Sequence, residues 1–91
     1  MKFNFEQVDG MMIHLEDLAK NPLCYKMHLL VEDCISLDKT SDDGFSYFGS
    51  IDDIMDILLS ITVENTSEYE APEVKEYLAE VRKCLGQVYE E

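Results

Sequence analysis

The chain has 91 residues, of which 46% are hydrophobic, so it is long enough for one domain and too apolar for disorder. Its 20 acidic residues against 7 Lys and Arg give a formal net charge of −13. That charge excludes nucleic acid and anionic membranes as natural partners, because no basic stripe is available to contact their phosphates. It favours a basic protein as the partner, since opposite charge steers encounter.

The first 15 residues and the number of cysteines indicate the cellular compartment of the protein. Residues 1–15 contain Glu6 and Asp9 where a signal peptide needs an apolar run, and no apolar stretch is long enough to span a bilayer. Three cysteines are few and odd in number, which suits a reducing environment better than a disulfide framework. The sequence therefore predicts a cytoplasmic protein with a single helical domain over residues 1–91.

Two helices are predicted in the first part of the chain. Asn4 can cap the first, which ends at Asn21 because a residue before proline avoids the α region. Pro22 suits the first position of the second helix. The apolar stripes are Phe5, Val8, Met12, Leu15 and Ala19 in the first helix and Leu23, Met27, Leu30, Cys34 and Leu37 in the second.

A long loop, DKTSDDGFSYFG, separates these helices from two more. Ser50 and Asp53 form a capping signal for the third helix, which SITVEN should fray at its end. After the connection ENTSEYEAPE, Pro72 begins the fourth helix. The expected fold is all-α: a small antiparallel four-helix domain with one long acidic and aromatic loop between helices 2 and 3. The stripes are Ile51, Ile54, Leu58 and Ile61, then Val74, Leu78, Val81, Leu85 and Val88.

Most of the acidic excess lies in the middle of the chain. Residues 38–73 hold ten acids and only Lys39 as a base, a net charge of −9. Like charges this close destabilise a helix, and a basic partner would relieve the repulsion. Alternatively, Phe45 and Phe48 fold back as a lid on the core, while Tyr47 stays exposed. The candidate partner-binding residues are Asp42, Asp43, Phe45, Tyr47, Phe48, Asp52, Asp53 and Asp56.

The sequence contains few residues in arrangements that are typical of catalysis. His14 and His28 lie on different predicted helices, without a nucleophile motif or a glycine-rich phosphate loop beside them. Cys24 and His28 are four residues apart on one helix, but a closed zinc site needs four ligands. We therefore expect a protein that is not an enzyme and has no metal and no cofactor.

The stretch GSIDDIMDILLSI resembles the region around the phosphopantetheine serine of acyl carrier proteins, which are also small, acidic and four-helical. This resemblance implies a carrier protein with Ser50 as the attachment site. Here Gly49 precedes the serine, where that family nearly always has aspartate.

The profile as a whole resembles bacterial toxin-immunity proteins, including those of contact-dependent growth inhibition and nuclease bacteriocins. These are short, acidic proteins without catalytic equipment. APEVKEYLAEVRKCLG is similar to the last helix of the colicin nuclease immunity family, which also begins after Pro-Glu. SEYEAPE holds only Tyr69 where that family has a tyrosine pair. The resemblance implies an inhibitor that occludes a basic nuclease toxin domain, with acidic side chains in place of phosphates.

Overall fold

The computed structural model describes residues 1–63 and 71–90, so the predicted connection at residues 64–70 lies outside the described residues. Within these ranges the chain is mostly helical, as predicted, and none of its helices has the length and hydropathy to cross a membrane. The helices are α1 (Val8–Leu18), α2 (Pro22–Asp38), α3 (Ile51–Leu59) and α4 (Pro72–Val88), with 3₁₀ turns at Phe5–Gln7 and Ser60–Val63.

Two short strands, β1 (Lys2–Phe3) and β2 (Tyr89–Glu90), pair antiparallel and were not expected from the sequence. Each strand has two residues, too short for the alternation of apolar and polar side chains that identifies a strand. The rings of Phe3 and Tyr89 lie 5.2 Å apart and are both buried. The pair therefore closes the core at the point where the two ends of the described chain meet.

The helix starts follow from local chemistry. The side-chain oxygen of Asn21 accepts a hydrogen bond from the Leu23 N–H at 2.8 Å, and Pro22 occupies the first turn of α2. Asn4 does accept from a backbone N–H, but it caps the 3₁₀ turn. As a result α1 begins only at Val8, four residues later than the sequence predicted.

The helix directions are only partly antiparallel. The Asn4 N–H donates to the Val88 carbonyl at 2.7 Å, so the beginning of α1 meets the end of α4. The side chain of Asn21 donates to Glu73 at 3.3 Å, which places the beginning of α2 beside the beginning of α4. Thus α1 runs against α4, whereas α2 and α4 run in the same direction.

Most predicted core positions are buried, and all five of the α4 stripe are. The end of α2 differs: Leu37 is 46% exposed, while Asp38 is 0% exposed and takes the inward position. In α1, Met11 is buried where Met12 was expected and Met12 is only half-buried. The buried hydrophobic residues of the described ranges form one core cluster.

Asp38 is buried because three donors reach its carboxylate. The Ser46 hydroxyl and the Tyr47 N–H each donate at 2.9 Å, and the Tyr89 hydroxyl donates at 2.5 Å. A buried charge is tolerated only when hydrogen bonds replace its hydration. Leu37 is pushed outward because adjacent helical positions face different sides.

The loop of residues 39–50 is also tied to β1 through its backbone. The Phe3 N–H donates to the Gly44 carbonyl at 3.0 Å, and the Ser46 N–H donates to the Met1 carbonyl at 2.7 Å. Lys2 and Phe45 form an antiparallel bridge between them. Gly44 has φ +76°, a left-handed conformation that favours glycine and turns the chain toward β1. The loop is therefore the second partner of β1, opposite β2.

We expect Asp38→Ala to lower the free energy of unfolding by about 3 kcal/mol or more, because it leaves three donors without their acceptor in the interior. Asp42→Ala, an exposed change four residues on, should shift it by less than about 0.5 kcal/mol. Urea unfolding followed by circular dichroism measures both. Equal losses in the two variants would contradict the role given to Asp38.

Tyr89 should make stability fall at alkaline pH. Burial raises the pKa of its hydroxyl, and the Asp38 carboxylate raises it further. An unfolded tyrosine ionises near pH ~10. Above that pH the unfolded chain releases a proton that the native chain retains, so the stabilisation, complete below pH ~10, is lost as pH rises.

Burial also raises the pKa of Tyr77, and it raises that of Cys34 to about 11, so both add to the decline. We therefore expect Tyr89→Phe to be less stable at neutral pH but to lose less of its stability between pH ~8 and ~11. Urea midpoints at several pH values test this. Identical slopes for wild type and variant would be the contrary result.

Candidate partner-binding site

The loop folds around a shallow surface depression of about 370 Å³. Its walls combine acids, hydroxyls and aromatic rings. The depression opens beside the end of α2, where the Thr40 hydroxyl donates to the Leu37 carbonyl at 2.6 Å. Its lining residues are Thr40, Ser41, Asp42, Asp43, Phe45, Ser46 and Tyr47.

The three loop aromatics occupy different environments. Phe45 is 49% exposed and Tyr47 is 61% exposed, although the backbone of each is hydrogen-bonded. The Tyr47 hydroxyl lies 3.5 Å from the Thr40 hydroxyl, which holds the ring near the end of α2. Phe48 is half-buried against the core cluster. Phe48 thus lies where the lid alternative would place it, while Phe45 and Tyr47 are presented to solvent.

The two acids of the depression differ in what they do for the loop. The Asp43 carboxylate accepts hydrogen bonds from the Ser41 hydroxyl at 2.7 Å and from the Phe45 N–H at 2.9 Å. These bonds lower its pKa and keep it charged while they shape the turn. Asp42 is exposed. Both charges therefore face solvent at the mouth of the depression.

The acids of α3 are also divided in role. Asp52 forms an ion pair with Arg82 of α4. Asp53 completes a capping box, because its carboxylate accepts the Ser50 N–H at 3.0 Å while Ser50 Oγ accepts the Asp53 N–H at 3.3 Å. Asp56 is exposed one turn later. Asp53 thus has the capping role that the sequence predicted, and Asp52 is paired within the fold, although both were also candidate partner-binding residues.

An apolar stripe on α2 lies next to this site, and sequence analysis missed it. Tyr25, Leu29 and Leu37 are each at least two-fifths exposed. They lie four and eight residues apart on one broad face of α2, on which the exposed Asp33 separates Leu29 from Leu37. The spacing was visible in the sequence, but Leu37 was placed in the core stripe. With the correct register, the face extends the loop surface along α2.

Ser50, the alternative attachment site, is half-buried and its hydroxyl is engaged as the cap of α3. A side chain at Gly49 would also disturb this cap, because a Cβ there would lie 2.9 Å from Asp53 Oδ2. The aspartate that carrier proteins have before their serine therefore does not fit this turn unless Asp53 moves. The departure from that family at position 49 thus has a physical basis.

Histidine, cysteine and glutamate side chains also lie close together at places away from the loop. His28, which the sequence paired with Cys24, is buried with Nε2 3.4 Å from Glu32, and its Nδ1 has no partner among the described residues. The Cys24 thiol instead faces the Glu73 carbonyl at 3.9 Å. A second cluster joins His14 of α1 to Glu80 and Cys84 of α4. The sequence showed only that Glu80 and Cys84 are four residues apart. The packing of α1 against α4 brings His14 beside them.

Comparison with known proteins finds no match for this chain: no family model, no curated protein and no solved structure.

The capping box yields a stability test. Asp53→Ala removes the acceptor for the Ser50 N–H and a charge that favours the start of α3, so we expect a loss of about 1 kcal/mol. Asp56→Ala on the same helix should cost little, or stabilise slightly, because it removes repulsion among the acids. Urea denaturation of the pair measures the difference. A greater loss for Asp56→Ala than for Asp53→Ala would contradict these roles.

Proposed function

We propose that this chain is an immunity-type inhibitor that binds a basic protein in the cytoplasm, a nuclease toxin domain, and covers its substrate-binding surface. The observation that carries the proposal is the acidic-aromatic depression, in which Phe45 and Tyr47 stand exposed beside the charged Asp42 and Asp43. Exposed aromatics held by backbone hydrogen bonds on a chain of charge −13 are typical of a recognition surface for cations.

The depression suits a Lys or Arg side chain of the partner. A cation over the face of Tyr47 or Phe45 is attracted by the ring, and the carboxylates of Asp42 and Asp43 can pair with the same cation. A nuclease presents such cations to the phosphates of its substrate. An inhibitor that pairs with them competes directly with nucleic acid for the same surface.

The loop is preorganised for this role. Its backbone is fixed to Met1 and Phe3 on one side and to Asp38 on the other. Binding therefore orders only side chains, and tyrosine has few rotatable bonds to immobilise. The Tyr47 ring is 61% exposed and can contact a partner, with its hydroxyl near that of Thr40 and its backbone N–H bonded to Asp38.

The α2 stripe supplies the remaining contact area. A stable complex buries roughly 800 Å² on each partner, more than a single loop depression provides. Tyr25, Leu29 and Leu37 continue from Tyr47 along α2 and add an apolar surface to the acidic one. An interface over the loop and α2 thus combines anchors with charge, and the charge sets the association rate.

The first test is the neighbouring gene, which we expect to encode a toxin with a basic nuclease domain. That domain, inactivated for production, should form a one-to-one complex with this chain in size-exclusion chromatography. The active domain should lose its nuclease activity when the chain is added. A toxin domain that neither binds nor is inhibited would contradict the proposal. So would phosphopantetheine attachment that is lost in Ser50→Ala, since that outcome indicates a carrier protein.

Two kinds of substitution should affect binding differently. Tyr47→Ala should mainly speed dissociation and weaken binding by about 2 kcal/mol, because it removes a central aromatic anchor. Asp42→Asn with Asp56→Asn should mainly slow association and flatten its salt dependence. Surface plasmon resonance at several salt concentrations separates the two effects. These positions are chosen because Asp52 and Asp53 also stabilise the fold.

The control removes two charges at the other end of α2. Glu16→Gln with Asp17→Asn changes exposed acids near the end of α1, about 25 Å from the loop along the 17-residue α2. This variant should retain the association rate within about two-fold at physiological salt, since the Debye length there is about 8 Å. Equal slowing by both double variants would show that the charge that steers association is not concentrated at the loop, since Glu16 and Asp17 lie near the Tyr25 end of α2.

A further inference from the structure

We propose that His14, Glu80 and Cys84 form a zinc-binding site between α1 and α4. Each residue offers one ligand atom, and the three atoms lie within 4.8 Å of one another. His14 Nε2 is 3.1 Å from the Glu80 carboxylate. The site is separate from the loop surface and does not depend on the proposed inhibitor function. It also departs from the expectation, drawn from the sequence, that the protein binds no metal.

The packing of two helices assembles the ligands. Glu80 and Cys84 are four residues apart, so their side chains project from the same face of α4. Because α1 runs against α4, its residue 14 lies opposite this face. Tetrahedral zinc holds N, O and S ligands roughly 3.3 to 3.6 Å apart, from bond lengths of about 2.0 to 2.3 Å. The pair at 3.1 Å is slightly closer than this spacing, and the widest separation, at most 4.8 Å, must close by up to about 1.5 Å.

The ligand types favour zinc over a hard cation. One imidazole nitrogen, one carboxylate and one thiol suit zinc, whereas magnesium and calcium prefer oxygen ligands alone. Glu80 and a Cys84 thiolate would together neutralise the two charges of the ion.

The surroundings leave room for a fourth ligand. His14 and Glu80 line both a cavity of about 490 Å³ on one side and a cavity of about 200 Å³ on the other. The larger cavity also includes Tyr77 in its wall, whose buried hydroxyl has no hydrogen-bond partner among the described residues. The smaller cavity includes Lys83, whose exposed side chain can turn to solvent, and Glu6, which adds negative charge. Three protein ligands with adjoining space are typical of an open zinc site.

The competing explanation is an ordinary surface ion pair between His14 and Glu80, beside a cysteine that serves only as a small core residue. The two explanations differ in one respect that can be measured. An ion pair needs no thiol, whereas the proposed site has a sulfur ligand. A probe that reports metal–thiolate bonding therefore distinguishes them.

The experiment titrates cobalt(II) into the reduced, metal-free full chain. A thiolate ligand gives an intense near-ultraviolet charge-transfer band, which should saturate at one cobalt per chain and disappear when zinc is added. Cys84→Ser should abolish the band. His14→Gln and Glu80→Gln should each weaken zinc binding by at least ~10-fold, since even outer-shell substitutions cost that much. Zinc should raise the melting temperature of wild type but not of His14→Gln.

The matched control is Cys34→Ala, which removes another buried thiol and lines neither of the two cavities beside the site. It should retain the band. His14 is half-exposed, so His14→Gln provides a folded variant if Cys84→Ser unfolds, as circular dichroism will show. Absence of a band in wild type would overturn the site. So would a band that survives Cys84→Ser, one whose cobalt midpoint is unchanged in His14→Gln, or one that is lost in Cys34→Ala.

Discussion

The rest of the structure depends on one buried carboxylate. Asp38 sits at the end of α2, and its donors come from the loop side chain of Ser46, the loop backbone at Tyr47 and the C-terminal strand at Tyr89. Burial of an unpaired ion costs several kcal/mol, so each donor is held in place by the need to satisfy the charge. A single group therefore fixes the end of a helix, a loop and a strand relative to one another.

These contacts of Asp38 and its neighbours affect how strongly the acidic side chains repel one another. Of the acids in the middle of the chain, Asp38 holds the fold together, Asp43 shapes a turn, and Asp53 caps a helix. Asp52 is paired with Arg82. The repulsion is consequently smaller than the sum of −13 suggests, because several charges already have partners. Among the described acids of this middle region, Asp42 and Asp56 are exposed, and Asp42 lies in the depression beside Phe45 and Tyr47.

Local signals in the sequence were sufficient for much of the fold. The stripe of α4 and the Ser50–Asp53 capping box follow from spacing within one helix, and the structure shows both. The register at the end of α2 was wrong because hydropathy ranks Leu37 as a core residue and Asp38 as a surface one. The correct order depends on donors that lie eight to 51 residues away in the chain.

The candidate sites, like the fold, could be predicted only where their residues lie close together in the sequence. Exposure of Tyr47 was expected because a phenol needs a polar partner, and the structure gives it a Thr40 hydroxyl and solvent. The juxtaposition of His14 with Cys84 was not predictable from spacing, since it results from the packing of α1 against α4. Sites formed within one segment are visible in the sequence, whereas sites formed between segments require the fold.

The closure of the chain by β1 and β2 has a consequence for the order of folding. Asp38 and Tyr47 are nine residues apart, whereas Asp38 and Tyr89 are 51 apart. Closing the longer loop costs about 1.5 kcal/mol more in chain entropy, so it should form later. During synthesis the helices can form early, but β1 has no strand partner until residues 89 and 90 emerge. The loop of residues 39–50, which rests on β1, would then become ordered only after residues 89 and 90 have been added to the growing chain.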